Sequence, residues 1–108
     1  MVRTGDYHAG LVFDLHRQPF DHTSEVVATE LLSPAISSIP FDADVTARTP
    51  QLRQRLDGHG YLTATFEADR MTARLRMLDD VQDVDSPIRT EATWRIDAGS
   101  PRAVQEDP

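Results

Sequence analysis

The sequence predicts a mixed α/β domain tending to β-rich, with an antiparallel hairpin-plus-strand sheet and one short helix. Three observations predict it. Apolar and polar residues alternate with a period of two over residues 61–67, 71–78 and 89–97, the pattern of strands with one buried face. Residues 42–57 hold the one helix-compatible spacing. The length, 108 residues, suffices for one small domain, which at this size buries roughly two-thirds of its unfolded surface.

Each element follows from local chemistry. A short strand opens the chain, ahead of Gly5, and residues 9–15 (Ala-Gly-Leu-Val-Phe-Asp-Leu) read as the next. Residues 16–24 are polar, contain Pro19, and read as a loop. Residues 25–32 are apolar-rich and read as a largely buried strand. Residues 33–40 carry Pro34, Pro40 and three serines, a connecting loop. In 42–57, Asp42 suits a helix cap, and Val45, Leu52 and Leu56 can share a face. Pro50 divides that helix, and Gly58 ends it.

The second half reads more plainly. Leu62, Ala64 and Phe66 alternate with Thr63, Thr65 and Glu67, and after a turn at 68–70 Met71, Ala73, Leu75 and Met77 alternate with Thr72, Arg74 and Arg76. That is a β-hairpin, placing Leu62, Ala64, Phe66, Leu75, Met77 and Trp94 on one apolar side. An acidic loop spans 79–87, and Thr90, Ala92, Trp94 and Ile96 mark a third antiparallel strand. Residues 1–98 form the domain and 99–108, with Gly99, Pro101 and Pro108, a loose tail.

Composition narrows the function. A net charge of −7 argues against nucleic acid as a partner, because that grip comes from Lys and Arg on phosphates. It offers no cationic patch to a membrane surface. The chain has no cysteine, which removes disulfides, thiolate metal sites and a cysteine nucleophile. No apolar run reaches membrane-spanning length, and no secretory signal is visible.

The chemistry centres on Gly5-Asp6-Tyr7-His8. Gly5 lets the chain turn sharply at a strand end. Asp6 and His8, two residues apart on that turn, can both reach a cation. Asp6 offers a hard oxygen suited to calcium or ferric iron; His8 offers a borderline nitrogen suited to iron, zinc or manganese. The remaining candidates read blandly. His16, His22 and His59 belong to solvated loops, the acids of 79–85 to a solvated acidic loop, and Arg74 and Arg76 to an exposed hairpin face. Trp94 belongs to the core. Glu30, inside an apolar run, reads either as a buried partner that organises the turn, since a lone buried carboxylate is costly, or as a residue that simply faces water.

The ordered set Thr4-Gly5-Asp6-Tyr7-His8, Thr29-Glu30-Leu31-Leu32 with Ile36-Ser37-Ser38, Thr49-Pro50-Gln51-Leu52, Gly60-Tyr61-Leu62 and the closing strands resembles the C-terminal part of the alkaline phosphatase D-type (PhoD-like) metallophosphatases, over residues 3–98. Leu31 and Ala35 depart from the usual Phe and Ser. The resemblance implies a metallophosphoesterase-like sandwich with the metal site at strand ends, and Asp6 and His8 as metal ligands. It implies a metal-dependent phosphoesterase that cleaves phosphate mono- and diesters by a metal-activated hydroxide, with iron and calcium as cofactors and a phosphate ester as substrate. Relatives are often exported. The family's upstream ligand blocks have no counterpart here. The chain is therefore expected to be incomplete as an enzyme, silent alone and self-associating: a fragment of a longer enzyme, a degenerate remnant, or the partner of a separate chain that carries the upstream half. The alternative is a non-catalytic β-rich remnant or interaction module. A phosphoryl-transfer centre of this kind uses two cations about 3.5–4 Å apart.

Overall fold

A computed structural model describes residues 1–39 and 49–108. Among them every regular element is a strand: β1 (Val2–Thr4), β2 (Gly10–His16), β3 (Val26–Leu32), β4 (Leu52–Leu56), β5 (His59–Phe66), β6 (Arg70–Leu78), β7 (Ile88–Asp97) and β8 (Val104–Glu106). They form two four-stranded sheets, ordered β1-β3-β2-β4 and β5-β6-β7-β8.

This corrects the expected mixed α/β class and its short helix; the β-rich part stands. Asp42 and Val45 lie outside the described residues. Leu52 and Leu56, assigned to the same helix, are in β4, antiparallel to β2 with Gly10 opposite Leu56 and Val12 opposite Gln54. Two leucines four apart share one face of a helix, but in β4 a register shift opposite Val12 and Phe13 sets them on different faces, Leu56 against the inter-sheet core and Leu52 against the outer cluster. The open edge of β2 decides between helix and strand. It offers ladder hydrogen bonds, and a strand there adds a row of inward side chains that close the core. Asp14 N–H already donates to the Gln51 carbonyl at 2.9 Å, starting the ladder ahead of Leu52.

The first sheet is mixed. β1 runs parallel to β3, and β3 and β2 are antiparallel. The second sheet is antiparallel throughout. Its first hairpin closes tightly, with Glu67 N–H donating to the Arg70 carbonyl at 2.8 Å. Within 99–108, read from sequence as a tail, β8 pairs with β7 and Ala103 is buried.

The sheets pack face to face. Val12 and Leu31 of the first meet Met71, Ala73, Leu75, Ala92 and Trp94 of the second, with Ala103 closing one end. Leu75, Met77 and Trp94 are buried as their alternation requires. Leu62 and Ala64 are half-buried against the core, whereas Phe66 is 63% exposed at its rim. Because side chains alternate, the opposite face of the first sheet carries a second apolar cluster, Ala9, Leu11 and Leu32 with Tyr7, Phe13 and Leu52.

Two glycines are demanded by geometry. Gly58 turns the chain between β4 and β5 at φ 116°. At Gly60 a Cβ would lie 2.1 Å from the Arg76 carbonyl oxygen and 2.9 Å from the Met77 sulfur. No other residue fits there without moving β6.

Candidate metal-binding turn

The Gly5–His8 segment leaves the end of β1, and Glu30 anchors its approach. The Thr4 hydroxyl donates to the Glu30 carboxylate at 2.8 Å, which ties the last residue of β1 to its parallel neighbour β3 just before the turn. Glu30 is half-buried and the bond is exposed, so it pairs without being the buried partner expected from the sequence.

The turn is strained at two positions. Asp6 has φ 77° and His8 has φ 64°, and among the described residues no other non-glycine residue has a positive φ. Asp and His tolerate this left-handed region better than most residues. Holding each there still costs on the order of 1–3 kcal/mol, which the surrounding structure must supply.

His8 is oriented by a backbone carbonyl. Its Nδ1 lies 2.7 Å from the Ile39 oxygen. A carbonyl only accepts, so Nδ1 carries the proton and donates, and in the neutral ring Nε2 keeps its lone pair. A histidine whose Nδ1–H is held by a carbonyl is pre-oriented as an Nε2 ligand. The same stretch is held from its other side by His59, whose Nε2 lies 2.8 Å from the Ser38 carbonyl. His59, expected in a solvated loop, begins β5. Its neighbour Gly60 donates its N–H to the Ala35 carbonyl at 2.9 Å. Residues 35–39 thus run as a strap between the candidate turn and the second sheet. No side-chain pattern could reveal this, because the acceptors on the strap are backbone carbonyls.

Asp6 is exposed and His8 half-buried. The Tyr7 ring lies beneath the Arg55 guanidinium, 5.8 Å from its centroid. No group of three or more His, Cys, Asp or Glu residues is placed to hold an ion among the described residues. The donor set on this turn therefore consists of one carboxylate and one imidazole nitrogen.

The other candidates have structural partners. Asp80 and Asp83 accept backbone N–H groups of Gln82 and Asp85 at 2.9 Å each, so those carboxylates organise their own loop. Asp79 pairs with Arg89. Arg76 donates to Thr90 Oγ1 at 2.7 Å, and Arg74 is exposed. His16 Nδ1 donates to the Ser24 carbonyl at 2.7 Å, bracing its loop. Trp94 is a core residue, 2% exposed.

No family model matches the sequence, and no curated protein is significantly similar to it. Among solved structures, the chain superposes on the structure of PhoD with a TM-score of 0.85 and 22% identity, over 98% of its own length. It spans 22% of the PhoD chain. At that identity the likeness is one of fold: the two-sheet arrangement seen here is similar to one segment of PhoD.

Proposed function

We propose that this chain is the β-sandwich segment of an alkaline phosphatase D-like, metal-dependent phosphoesterase, and that Asp6 and His8 are its contribution to the metal centre. The observation that carries the reading is the superposition on PhoD across 98% of the chain. Backbone strain falls on Asp6 and His8, and unusual backbone geometry gathers at functional sites. The Ile39 carbonyl leaves His8 Nε2 available, and the Asp6 carboxylate is accessible.

The Asp6 oxygen fits calcium or iron, and the His8 imidazole nitrogen fits iron. Bound cations would supply charge neutralisation for the phosphoryl oxygens of an ester. The chain's own part is to hold two donors on a preset turn. Glu30 fixes Thr4 at its start, and Ile39 fixes the His8 ring at its end. Calcium takes about six to eight oxygen ligands, so this pair covers a fraction of any such cage. Ester hydrolysis then requires further ligands, from the rest of the protein or from a second chain.

The test is a titration with Mn²⁺ followed by proton–nitrogen NMR. Paramagnetic broadening is expected first at residues 5–8 and at the His8 ring, and is lost in Asp6→Ala and His8→Ala. With iron and calcium the chain alone is expected to leave bis(p-nitrophenyl) phosphate intact. Broadening centred on residues 79–85, with residues 5–8 unaffected, would overturn the reading.

A further inference from the structure

Sheets end in edges, and the four edges here differ. β1 and β8 are 3 residues each, and carry Arg3 and Glu106 respectively. β4 has 5 residues, including Arg53 and Arg55. These are the usual guards against unwanted strand pairing, shortness and charge. β5 has 8 residues, and from Gly60 to Phe66 it holds no charged residue, no proline and no bulge. Among the described residues it is the unguarded edge.

Its free hydrogen-bonding groups can be identified. Glu67 donates to the Arg70 carbonyl, so Glu67 and Arg70 form a hydrogen-bonded pair of the β5–β6 ladder. In an antiparallel ladder such pairs alternate. Thr65, Thr63 and Tyr61 therefore direct their N–H and C=O groups at β6. Phe66, Ala64, Leu62 and Gly60 direct theirs outward. Gly60 confirms the parity, because its outward N–H is taken by the Ala35 carbonyl at 2.9 Å. The open stretch is Leu62 to Phe66. Its odd length matters: a two-fold axis at Ala64 sets Leu62 opposite Phe66 of another copy, and Ala64 opposite Ala64.

We infer that the partner of this edge is a second copy of the chain, joined by antiparallel pairing of β5 with β5 about a two-fold axis at Ala64. In that register every outward group of the open stretch finds a partner, giving on the order of six inter-chain hydrogen bonds. A shift by two residues leaves one end unpaired. The strap at Ala35 blocks extension past Gly60, and the hairpin turn blocks extension past Phe66, so the register is self-limiting. Side chains agree with the backbone. Leu62 and Ala64 face the core side of the sheet, and Phe66 shares their parity. Each exposed Phe66 ring is set beside a Leu62 of the other copy, a favourable aromatic–aliphatic cross-strand pair. The two antiparallel sheets become one continuous sheet. The net charge of −7 repels like molecules, and the uncharged β5 edge is where that repulsion is locally weakest. This inference stands apart from the metal-site reading, since it uses none of the same residues.

Sedimentation equilibrium over a concentration series tests it. A reversible dimer is expected for the wild-type chain. Ala64→Pro removes an outward N–H that β6 does not use, and proline is tolerated on such an edge. It should weaken dimerisation about tenfold or more, since both copies lose a central hydrogen bond, with unchanged circular dichroism. The chain lacks cysteine, so Ala64→Cys supplies a second readout that does not depend on the proline variant folding. Two-fold-related Cβ atoms of this hydrogen-bonded pair are about 5.5 Å apart, wider than a disulfide spans and within reach of a short bis-maleimide. That linker should give a covalent dimer, while Ser100→Cys, on an exposed turn, should not. A wild-type chain that stays monomeric overturns the inference and leaves the edge to some other strand. A dimer that survives in folded Ala64→Pro, or that fails to cross-link through Ala64→Cys, overturns it too and places the contact elsewhere.

Discussion

Trp94 of β7 and Gln54 of β4 meet across the interior, the indole Nε1–H donating to the Gln54 side-chain oxygen at 2.6 Å. The bond joins the two sheets where both are buried or half-buried. The Arg53 guanidinium caps the same ring, 4.9 Å from its centroid, while pairing with Asp14 at 2.9 Å. Hydrophobic packing alone would allow the sheets to slide. This bond fixes their relative position, because a buried indole N–H needs an acceptor.

Gln54→Leu should therefore destabilise the chain although it adds apolar surface. The orphaned indole N–H costs about 1–3 kcal/mol. Urea denaturation followed by Trp94 fluorescence measures it. In Trp94→Phe/Gln54→Leu the loss should be smaller than the sum of the two single losses, since both polar partners are gone. Strict additivity would mean that the bond does not couple the sheets.

Gly60→Ala should be among the most damaging small substitutions in the chain. The new methyl would sit 2.1 Å from the Arg76 carbonyl oxygen, a backbone atom that cannot rotate away. Overpacking costs about 1–3 kcal/mol and occasionally more. Because Gly60 N–H also holds Ala35, loss of protection should spread to residues 35–39 in amide exchange. A thermal midpoint within a degree of wild type would contradict the geometry.

Thr29→Val should release the C-terminal strand. The Thr29 hydroxyl donates to the Pro101 carbonyl at 2.8 Å and accepts from Ala103 N–H at 3.1 Å. Valine keeps the shape and removes both bonds. The buried Ala103 N–H is then unpaired, at about 1–3 kcal/mol. Faster exchange confined to residues 103–106, with β5 and β6 unchanged, is the expected signature.

A pH effect should appear at the 18–24 loop. The Thr23 hydroxyl and backbone N–H both donate to the Asp21 carboxylate, at 2.5 and 2.9 Å, and hold its pKa below the ordinary carboxylate value. A depressed pKa means that the loop's ordering is fully present above the ordinary value. It is lost as pH falls through the lowered one. Side-chain NMR titration should place Asp21 below the ordinary carboxylate value, and Thr23→Val should move it upward. An Asp21 that titrates at the ordinary carboxylate value would contradict the bond.

Much of the second sheet was legible because its signal is local. Alternation at 61–67, 71–78 and 89–97 specifies a strand and its buried face without knowledge of any neighbour, and the hairpin turn at 68–70 joins the first two. Phe66 escaped this logic. It has the parity of a core residue, yet it is the last residue of an edge strand and 63% exposed, and parity carries no information about where an element ends or which strand is an edge.

The candidate site was legible in its residues and hidden in its supports. Gly5-Asp6-Tyr7-His8 stands out as a turn with two donors. The carbonyl that sets the His8 tautomer belongs to Ile39, 31 positions on, and any residue type supplies a carbonyl. The His59 contact with Ser38 is hidden for the same reason.

Sequence by itself determined the hairpin reversal at 68–70, which faces of β5, β6 and β7 are apolar, and which turn bears an acid and an imidazole. These depend on side-chain period and on glycine, which act over a few residues. Only the tertiary structure decided that Leu52 and Leu56 lie on a strand, that residues 104–106 close the second sheet, and that β5 is left with an open edge. Leucines four apart read as one helix face, whereas a register shift in the β2–β4 ladder puts these two on opposite faces of a strand, and three residues after a turn have no pattern of their own. In each case the outcome rests on the ladder that a distant strand leaves unfilled, a free energy that appears only when the two segments meet.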